Sequence, residues 1–535
     1  MISKENIIEK ILDCSHWDDQ LTPILIDCGF QEPSKAWKNL IDIAKAANFK
    51  KLYPLFFPRL LDLSARSYNA DIALHNLERF SEKFSDKDHL FAQLSESESL
   101  LEALIFLFSG SQILTDYILS EPSYVNWLNR PGVLTESKSK DILMRDFYET
   151  AEEGVPKKDI LYILRKFKKR EYLRIGLRDL LGRAALIETI EDISNLADVC
   201  LQIAYENSDR VLKIKFGLPS YQDSEVNWKE SEFAILGMGK LGGKELNYSS
   251  DIDLIYIYTS NQGETRPDHS RSNSIIKITN HEYFSKLARQ ITKTINEITS
   301  EGNVFRVDLD LRPDGPSGEI VSSLASCETY YQSWGRTWER QAHIKARVSA
   351  GSEALGKEFF TMMEPFIYRR SLDFEAIEEI KAMKKGINQK LKGNKSENIK
   401  LGFGGIREIE FFIQTNQLLF GGRNKALRVR GSLSALRILK EEDIISEEDF
   451  SCLSEAYTFL RNLENRVQIT FGLQTHKLPE LLEDRAVLAR KMRIEGKTTE
   501  ELAANLMKIY EFHTSFVGKM FSEQFAKKKN EIRLK

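Results

Sequence analysis

The chain has little cysteine, and its five cysteines follow no metal-binding or disulfide spacing. They are Cys14, Cys28, Cys200, Cys327 and Cys452, an odd number with no C-x-x-C pair. That usage is typical of reduced, mostly buried thiols in a cytosolic protein. The eight histidines are equally scattered and include no H-E-x-x-H pair, so the sequence has no zinc-site pattern.

Long apolar runs are also missing. No stretch of about 18 apolar residues occurs, so we expect no transmembrane helix. Residues 1–14 lack the apolar segment of a secretory signal peptide. Together these absences lead us to expect a cytoplasmic protein that does not contact a membrane.

The chain lacks a strong charge of either sign. Its 76 basic and 79 acidic side chains leave a net charge of −3 at pH 7. A dedicated nucleic-acid binder needs a basic excess to neutralise phosphates, so we expect no nucleic-acid partner. The 535 residues, 42% of them apolar, can form two or three domains with sizeable cores.

Hydrophobic periodicity predicts helices at both ends of the chain. In residues 1–205 apolar residues recur at spacings of three and four, as in Leu100, Leu101 and Leu104. The same pattern returns in residues 353–535. A strongly basic helix is predicted at 157–181, where we expect the charges to form a solvated face, with phosphate contacts as the alternative.

Between residues 206 and 352 the pattern changes to a mixture of strands and helices. Short apolar runs predict strands at 231–239, Asp251–Tyr258 and Val304–Pro313. An amphipathic helix is predicted at 281–299, after a polar loop at 259–280. We therefore predict an α+β chain, with a central mixed-sheet domain flanked by helical regions.

Two of the predicted strands carry paired carboxylates. Side chains alternate between the two faces of a strand, so Asp251 and Asp253 project from one face while Ile252 and Leu254 take the other. Asp308 and Asp310 repeat the arrangement on the later strand. Neighbouring carboxylates repel each other unless a cation is shared between them, and carboxylates are the ligands that Mg²⁺ prefers. If the two strands lie side by side, three or four carboxylates surround one point, as a two-metal phosphoryl or nucleotidyl transfer site requires.

A glycine-rich turn precedes the first acidic strand. Four glycines occur within seven positions, together with two lysines: Gly237, Gly239, Lys240, Gly242, Gly243 and Lys244. Glycines let a backbone approach a phosphate closely and present N–H groups to it. A tight structural turn is the alternative for this segment taken by itself. The combination of the turn, about ten residues and then D-h-D-h favours phosphate binding.

Several blocks resemble one known family. The turn and first acidic strand resemble the polymerase-β-like nucleotidyltransferases, except that Met238 or Lys240 stands where Gly or Ser is usual. GMGKLGGKELNYSSDIDLIY, FRVDLDLRPDGPSGEIVSSL and KLGFGGIREIEFFIQTNQLLFGG closely resemble glutamine synthetase adenylyltransferase/adenylyl-removing enzymes. The similar blocks extend from about residue 85 to residue 480 and support an assignment to this family.

The resemblance implies a function and a domain order. The family usually has two nucleotidyltransferase halves, and this chain carries one copy. Its NYSSDIDLIY segment is more similar to the N-terminal, AMP-removing half. It implies a nucleotidyltransferase domain at 206–352 between an N-terminal helical region at 1–205 and a C-terminal helical bundle at 353–535. The implied partners are glutamine synthetase, ATP or ADP, phosphate and a PII signalling protein, with Mg²⁺ as cofactor in a two-metal site and Mn²⁺ as an alternative.

Site residues follow from the same match. Asp251, Asp253 and Asp308 are the expected catalytic and metal-binding carboxylates. Relatives often have Arg at the position of Asp310, so Asp310 is either a spare ligand or a partner for Arg312. Ten residues are candidates for nucleotide or phosphate binding: Gly237, Gly239, Lys240, Gly242, Gly243, Ser249, Ser250, Arg312, Lys345 and Arg347. For the serines a turn cap, and for Arg306 and Arg312 ordinary ion pairing, are the alternatives.

The direction of the reaction stays open at this point. We expect phosphorolytic removal of AMP from a glutamine synthetase tyrosine, because of the N-terminal-half resemblance. Transfer of AMP from ATP to glutamine synthetase or another protein is the enzymatic alternative. A non-catalytic module that senses proteins such as PII is the alternative of another class, although all three carboxylates are present. The Gly402–Gly405 turn is either a plain helix start or an anion site.

Overall fold

The structure is a computed structural model that describes residues 4–47, 49, 55–152, 160–267, 276–370, 379, 382, 386, 397–472 and 474–531. Its contacts divide the chain into two compact units, each built from three segments. Unit 1 comprises Met1–Ser137, Lys169–Thr189 and Asn462–Ile509, and unit 2 comprises Lys138–Lys168, Ile190–Arg461 and Tyr510–Lys535. The domain boundaries expected near residues 205 and 352 stay predictions.

The N-terminal part of the chain is helical, as the periodicity predicts. Side-chain oxygens of Asn69, Asp86, Ser97 and Ser111 cap helices by accepting a backbone N–H two or three residues inside each helix. The α-helices up to residue 216 are Lys4–Leu12, Thr22–Asp27, Pro33–Ala44, Phe56–Arg66, Ala70–Ser81, Lys87–Glu96, Glu98–Gly110, Gln112–Ser120, Tyr124–Leu128, Lys140–Glu152, Ile160–Leu180 and Leu186–Phe216.

The basic helix predicted at 157–181 is present as Ile160–Leu180, but the prediction of a solvated charged face was wrong. Glu171 and Arg174 are fully buried, and Arg174 Nε donates to Glu171 Oε2 at 2.7 Å. Arg178 is buried as well and pairs with Glu188. Charges can be buried when they are paired and hydrogen-bonded, and spacing alone does not reveal such partners. Residues 157–159 lie outside the described residues.

All eight strands among the described residues lie between residues 218 and 351, in unit 2. They are β1 Leu218–Gln222, β2 Trp228–Glu230, β3 Phe233–Gly237, β4 Ile252–Tyr258, β5 Glu264–Arg266, β6 Val307–Asp308, β7 Val321–Ser323 and β8 Arg347–Gly351. A three-stranded antiparallel sheet has the order β2-β1-β5. The second sheet has the order β6-β4-β3-β8, with β7 also paired to β4. The predicted α+β class, with a mixed sheet inside a mainly helical chain, is confirmed.

Two local predictions in this region need correction. The segment 259–280 is not one loop, because β5 forms within it and pairs with β1, while residues 268–275 lie outside the described residues. The strand predicted at Val304–Pro313 is reduced to β6, which ends at Asp308. The helix predicted at 281–299 is observed as Asn280–Asn296.

The central sheet packs its apolar side chains against helices. Ala234, Leu236, Ile255 and Ile257 share a buried cluster with side chains of the helices Leu324–Ser333 and Glu353–Ile367. The other helices of the second half are Gly239–Gly242, Thr337–His343, Ile406–Phe420, Ser432–Glu441, Glu447–Phe471, Leu482–Lys491 and Thr499–Glu531. Among the residues searched, none of the helices has both the length and the apolarity to cross a membrane.

Candidate active site

The two acidic strands lie side by side, as the sequence predicts. β6 pairs with β4 in parallel, and the register places Asp253 opposite Asp308 and Ile252 opposite Val307. Ile252 and Leu254 are fully buried, so the sheet is covered on the face opposite Asp253. Neighbouring strands lie about 4.8 Å apart, which brings the backbones of the two aspartates into direct proximity.

Asp253 has an unusual electrostatic environment. Burial raises its pKa to about 6, and the carboxylates of Asp308 and Asp251 contribute to that rise. Lys400 and Lys240 oppose the rise with their positive charges. A carboxyl group with these neighbours favours either a proton or a bound cation.

Asp251 and Asp308 already have partners of their own. Arg306 Nε donates to Asp251 Oδ1, and a second nitrogen of Arg306 donates to the carbonyl oxygen of Ser249. The Asp251–Arg306 pair is half-exposed, with 34% and 45% of the side chains accessible. Asp308 Oδ1 accepts the backbone N–H of Asp310 at 2.7 Å. The ion-pairing alternative for Arg306 is therefore confirmed.

The carboxylates have the right chemistry for Mg²⁺ but do not yet converge. Within the described part of the chain, no three Asp, Glu, His or Cys side chains are grouped so that they could hold a metal ion. Asp253 and Asp308 are adjacent, whereas Asp251 is turned to Arg306. An exposed ion pair contributes about 0–1 kcal/mol, so breaking the Asp251–Arg306 pair costs little, and a cation shared with Asp253 would offset the repulsion between the two carboxylates.

Asp310 does not extend the acidic strand. β6 ends one residue after Val307, and Asp310 is exposed in the segment that follows. In the part of the chain that the structure describes, Arg312 forms no ion pair with Asp310. Its guanidinium instead donates to the carbonyl oxygens of Leu309, Pro316 and Gly318, at 2.8, 2.9 and 3.2 Å. These bonds stabilise the loop and engage three of the five N–H donors of the guanidinium, which leaves one donor on each terminal nitrogen.

The glycine turn lies directly against the acidic pair. Gly239 has a φ of +51°, and a Cβ atom there would stand 2.7 Å from Asp253 Oδ2. The backbone N–H of Met238 donates to the carbonyl oxygen of Asp253 at 2.9 Å. Only glycine combines this left-handed conformation with such a close approach. The turn thus brings its backbone to the carboxylate group.

At other positions of the turn, glycine is required because neighbouring atoms leave no room for a side chain. A Cβ at Gly237 would lie 2.3 Å from Ser349 Oγ, and one at Gly242 would lie 2.2 Å from the carbonyl oxygen of Lys345. The N–H groups of Gly242 and Gly243 donate to the carbonyls of Met238 and Gly239. These two N–H groups are therefore engaged within the turn, as the structural alternative predicted.

The serines before β4 also take part in a turn. Ser250 Oγ accepts the backbone N–H of Asn247 at 3.3 Å, which is the turn-cap alternative. The carbonyl oxygen of Ser249 accepts from Arg306. Both serines stand next to Asp251 at the start of the acidic strand.

Lys345 and Arg347, two of the candidates for phosphate binding, lie after a helix and on a strand. The helix Thr337–His343 ends before them, and Arg347 is the first residue of β8. Lys345 is buried, and its Nζ donates to Glu245 at 2.7 Å, Glu410 at 2.9 Å and Ser432 Oγ at 3.1 Å. An ammonium has three donors, so these partners leave none for a phosphate.

Arg347 forms a bidentate ion pair with the buried carboxylate of Asp198. Its terminal nitrogens lie 2.7 and 3.0 Å from the two oxygens of Asp198. One of them also donates to the carbonyl oxygen of Leu241, in the glycine turn. Arg347 therefore connects the turn to the helix Leu186–Phe216.

The Gly402–Gly405 turn is a plain helix start. The N–H groups of Gly405 and Ile406 donate to the carbonyls of Gly402 and Ile399, and the N–H of Gly404 donates to Glu408 Oε2. These bonds take the donors that an anion would need. Further along the helix, Ile406, Ile409, Phe412 and Ile413 are buried at helical spacing and belong to the core.

The sequence analysis missed Lys400. This residue precedes the glycine-rich turn of the third similar block, and its charge acts on Asp253 together with that of Lys240. The two residues are separated by 160 positions, so no spacing rule connects them. The position of Lys400 inside a block similar to the family was the available signal.

The chain is similar to known proteins. Residues 101–362 match the family model described as Glutamate-ammonia ligase adenylyltransferase, and residues 376–525 match that of GlnD PII-uridylyltransferase. A curated relative from Nitrosococcus oceani is 39% identical over 84% of this chain and 45% of its own length. One from Pseudomonas aeruginosa is 39% identical over 73% of this chain and 39% of its own length.

Both relatives are named bifunctional glutamine synthetase adenylyltransferase/adenylyl-removing enzyme. The chain spans less than half the length of these relatives. The matched region from 101 to 362 contains the acidic strands and the glycine turn. The chain is therefore related to the glutamine synthetase adenylyltransferase/adenylyl-removing enzymes.

Proposed function

We propose that the chain removes AMP from an adenylylated tyrosine of glutamine synthetase by phosphorolysis and releases ADP. The observation that carries this proposal is the pairing of Asp253 with Asp308 across β4 and β6, with Gly239 against Asp253. Carboxylates on adjacent strands beside a glycine turn suit a reaction at a phosphorus atom. The names of the relatives support glutamine synthetase as the substrate.

The proposed reaction is a single displacement. An oxygen of orthophosphate attacks the phosphorus of the tyrosyl-AMP, and the bond from phosphorus to the tyrosyl oxygen breaks. The products are ADP and a tyrosinate, which takes a proton from water. A tyrosinate is a stable leaving group because the pKa of tyrosine is about 10, so the reaction needs no strong general acid.

The chain's own residues can position the substrate and neutralise the negative charge at phosphorus. Asp251, Asp253 and Asp308 are the proposed ligands for Mg²⁺ in a two-metal arrangement, with Mn²⁺ as the alternative, and the bound ion would neutralise charge at phosphorus. Lys240 and Lys400 supply positive charge beside Asp253. Gly239 lets the backbone approach the same point. For this, the side chain of Asp251 has to break its ion pair with Arg306 and turn towards Asp253 and Asp308.

Transfer of AMP from ATP is the second candidate. Both directions pass through a similar transition state at phosphorus, and the relatives are named for both. The NYSSDIDLIY block, which is more similar to the N-terminal half of the family, favours removal. A module without catalysis is disfavoured because all three carboxylates and the glycine turn are present.

A PII signalling protein is the proposed regulatory partner. The match of residues 376–525 to the PII-uridylyltransferase model supports this proposal, because that model is named for an enzyme acting on PII. Binding of purified PII to the full chain, measured by calorimetry, tests it. Absence of binding in the presence of ATP and in its absence contradicts it.

The decisive experiment compares both directions. The full chain with Mg²⁺ is incubated with adenylylated glutamine synthetase and phosphate, and ADP is measured; in parallel, unmodified glutamine synthetase and ATP are assayed for AMP on the protein. We expect ADP in the first reaction. Asp253→Asn should abolish it, whereas Asp443→Asn, an exposed aspartate outside the site, should leave it unchanged. AMP transfer without ADP release would reverse the direction, and full activity in Asp253→Asn would refute the site.

A further inference from the structure

A cavity of about 570 Å³ opens in unit 2 beside the first residue of β8. Its wall includes side chains from the helices Lys140–Glu152, Leu186–Phe216 and Glu353–Ile367. None of the three candidate metal-binding carboxylates lines it. The cavity is therefore a second feature, separate from the acidic pair.

Basic side chains outnumber acidic ones in this cavity. The basic residues are Lys140, Lys244, Arg347, Lys357 and Arg430, and the acidic residues are Asp198, Glu353 and Glu364. Two of the carboxylates are already paired, Asp198 with Arg347 and Glu364 with Arg428. The lining residues therefore carry a formal charge of +2 at neutral pH.

The lysines of the cavity retain donors for a ligand. Lys140 Nζ donates to the carbonyl oxygen of Ser349 at 3.1 Å, and Lys244 Nζ donates to Asn195 Oδ1 at 3.3 Å. Each of these bonds takes one of the three hydrogens of an ammonium. Lys357 is exposed and has no ion pair with any residue that the structure describes. These groups can turn towards an anion at little cost.

Two guanidinium groups repel each other at the same place. Arg430 Nε donates to the carbonyl oxygen of Ala346 at 2.8 Å, which holds this side chain near β8. Burial lowers the pKa of Arg430, and the neighbouring charge of Arg347 lowers it further. Arg347 Nε is buried and has no hydrogen-bond partner within the described part of the chain. An anion between the two guanidinium groups would relieve the repulsion and use the remaining donors.

We propose that this cavity binds a small phosphorylated molecule through Arg430, Lys357 and Lys140, at a site separate from the acidic pair. Its volume lies within the range of about 300–1,000 Å³ that is usual for small-molecule sites. The ring of Phe360 stands 5.7 Å from the Arg430 guanidinium and offers an apolar surface beside the phosphate position. The ligand is either a nucleotide, whose base contacts Phe360, or a free phosphate. The proposal does not depend on the direction of the reaction.

The test is calorimetric titration of the full chain with orthophosphate, AMP and ATP separately. EDTA and a fixed, low salt concentration prevent metal-dependent binding at the carboxylates and limit charge screening. We expect one site for at least one of these ligands. Lys357→Met and Arg430→Gln should each weaken it about tenfold, since a charged hydrogen bond is lost. Lys286→Met removes a half-exposed lysine outside the cavity and should change the affinity less than about twofold.

The three ligands separate the two sources of phosphate. AMP binding about tenfold tighter than orthophosphate places a nucleoside beside Phe360, and equal affinities identify a phosphate site; both results support the proposal. Absence of binding at concentrations of about 10 mM would overturn it. Binding that both cavity variants leave unchanged, or that Asp253→Asn abolishes, would overturn it too. Lys357 is exposed, so Lys357→Met decides the question even if Arg430→Gln does not fold.

Discussion

Replacement of Lys345 by methionine tests whether a buried ion cluster holds the glycine turn in place. The Nζ atom of Lys345 bonds to Glu245 and Glu410, and both it and Glu245 have only 5% of their surface exposed. Burial alone would lower the pKa of Lys345, but these two carboxylates raise it above its ordinary value. The lysine is therefore charged at neutral pH.

The magnitude follows from what the substitution leaves behind. Lys345→Met keeps the volume of the side chain but leaves the buried Glu245 and the partly buried Glu410 without their shared cation. Breaking a buried pair by removing one partner costs about 3–5 kcal/mol of stability. Glu245 follows the turn directly, and the carbonyl oxygen of Lys345 lies against Gly242. We therefore also expect reduced activity at saturating substrate.

The deficit of this variant should depend on pH in a defined direction. Burial would raise the pKa of Glu410, and the ammonium of Lys345 holds it below its ordinary value instead. In the natural chain the stabilisation is present at neutral pH and is lost as the pH falls through the lowered pKa. Without Lys345, Glu410 takes up a proton more readily. The deficit is thus largest at neutral pH and shrinks towards about pH 5.

The assay is urea unfolding at about pH 7 and pH 5, followed by circular dichroism and tryptophan fluorescence in parallel. Lys286→Met is the matched control, because it removes a lysine from an exposed ion pair with Glu282, worth about 0–1 kcal/mol. Adding Glu410→Gln to Lys345→Met should recover part of the loss. A loss for Lys345→Met no larger than that of the control would refute the buried cluster as a source of stability.

Three further predictions concern other buried or strained groups. Burial and two carboxylates raise the pKa of Asp253 to about 6, so its ionisation costs stability as the pH rises from about 4 to about 6. Asp253→Asn should therefore stabilise the metal-free protein by about 2–3 kcal/mol at pH 7 and abolish any rise of Tm with Mg²⁺; an unchanged Mg²⁺ response would contradict this. Gly239→Ala and Gly302→Ala both add a methyl group at positive φ, which should cost about 1–2 kcal/mol of stability in each case. Only the methyl group at position 239 would contact Asp253, so only Gly239→Ala should lose the proposed activity. Burial lowers the pKa of Lys491 to about 7, so the free energy of unfolding of the natural chain should fall by about 1.4 kcal/mol per pH unit between about pH 10 and about pH 7. Lys491→Met should remove this pH dependence in urea titrations. An unaltered pH dependence would exclude Lys491 as its source.

Local sequence patterns were enough to predict the features that depend on neighbouring residues. The alternation in DIDLIYIY placed Asp253 on a strand with Ile252 and Leu254 on its buried face, and the strand β4 follows that pattern. The clustered glycines marked a turn that approaches its surroundings closely, and Gly239 shows why. The helical periodicity located the helices, because burial of one face repeats every three to four residues.

Contacts between side chains far apart in the sequence became known only from the three-dimensional fold. Lys345 bonds to carboxylates 100 and 65 positions away, so its burial could not be inferred from the residues beside it. Arg174 and Glu171 are only three positions apart, but the carbonyl oxygen of Glu136, to which Arg174 also donates, lies 38 positions from it, so their burial could not be inferred from the helix itself. β6 ends at Asp308, and Asp310 lies in the loop that Arg312 stabilises. Alternation along a strand predicts faces only while the strand continues, and where it ends depends on its hydrogen-bonded neighbour.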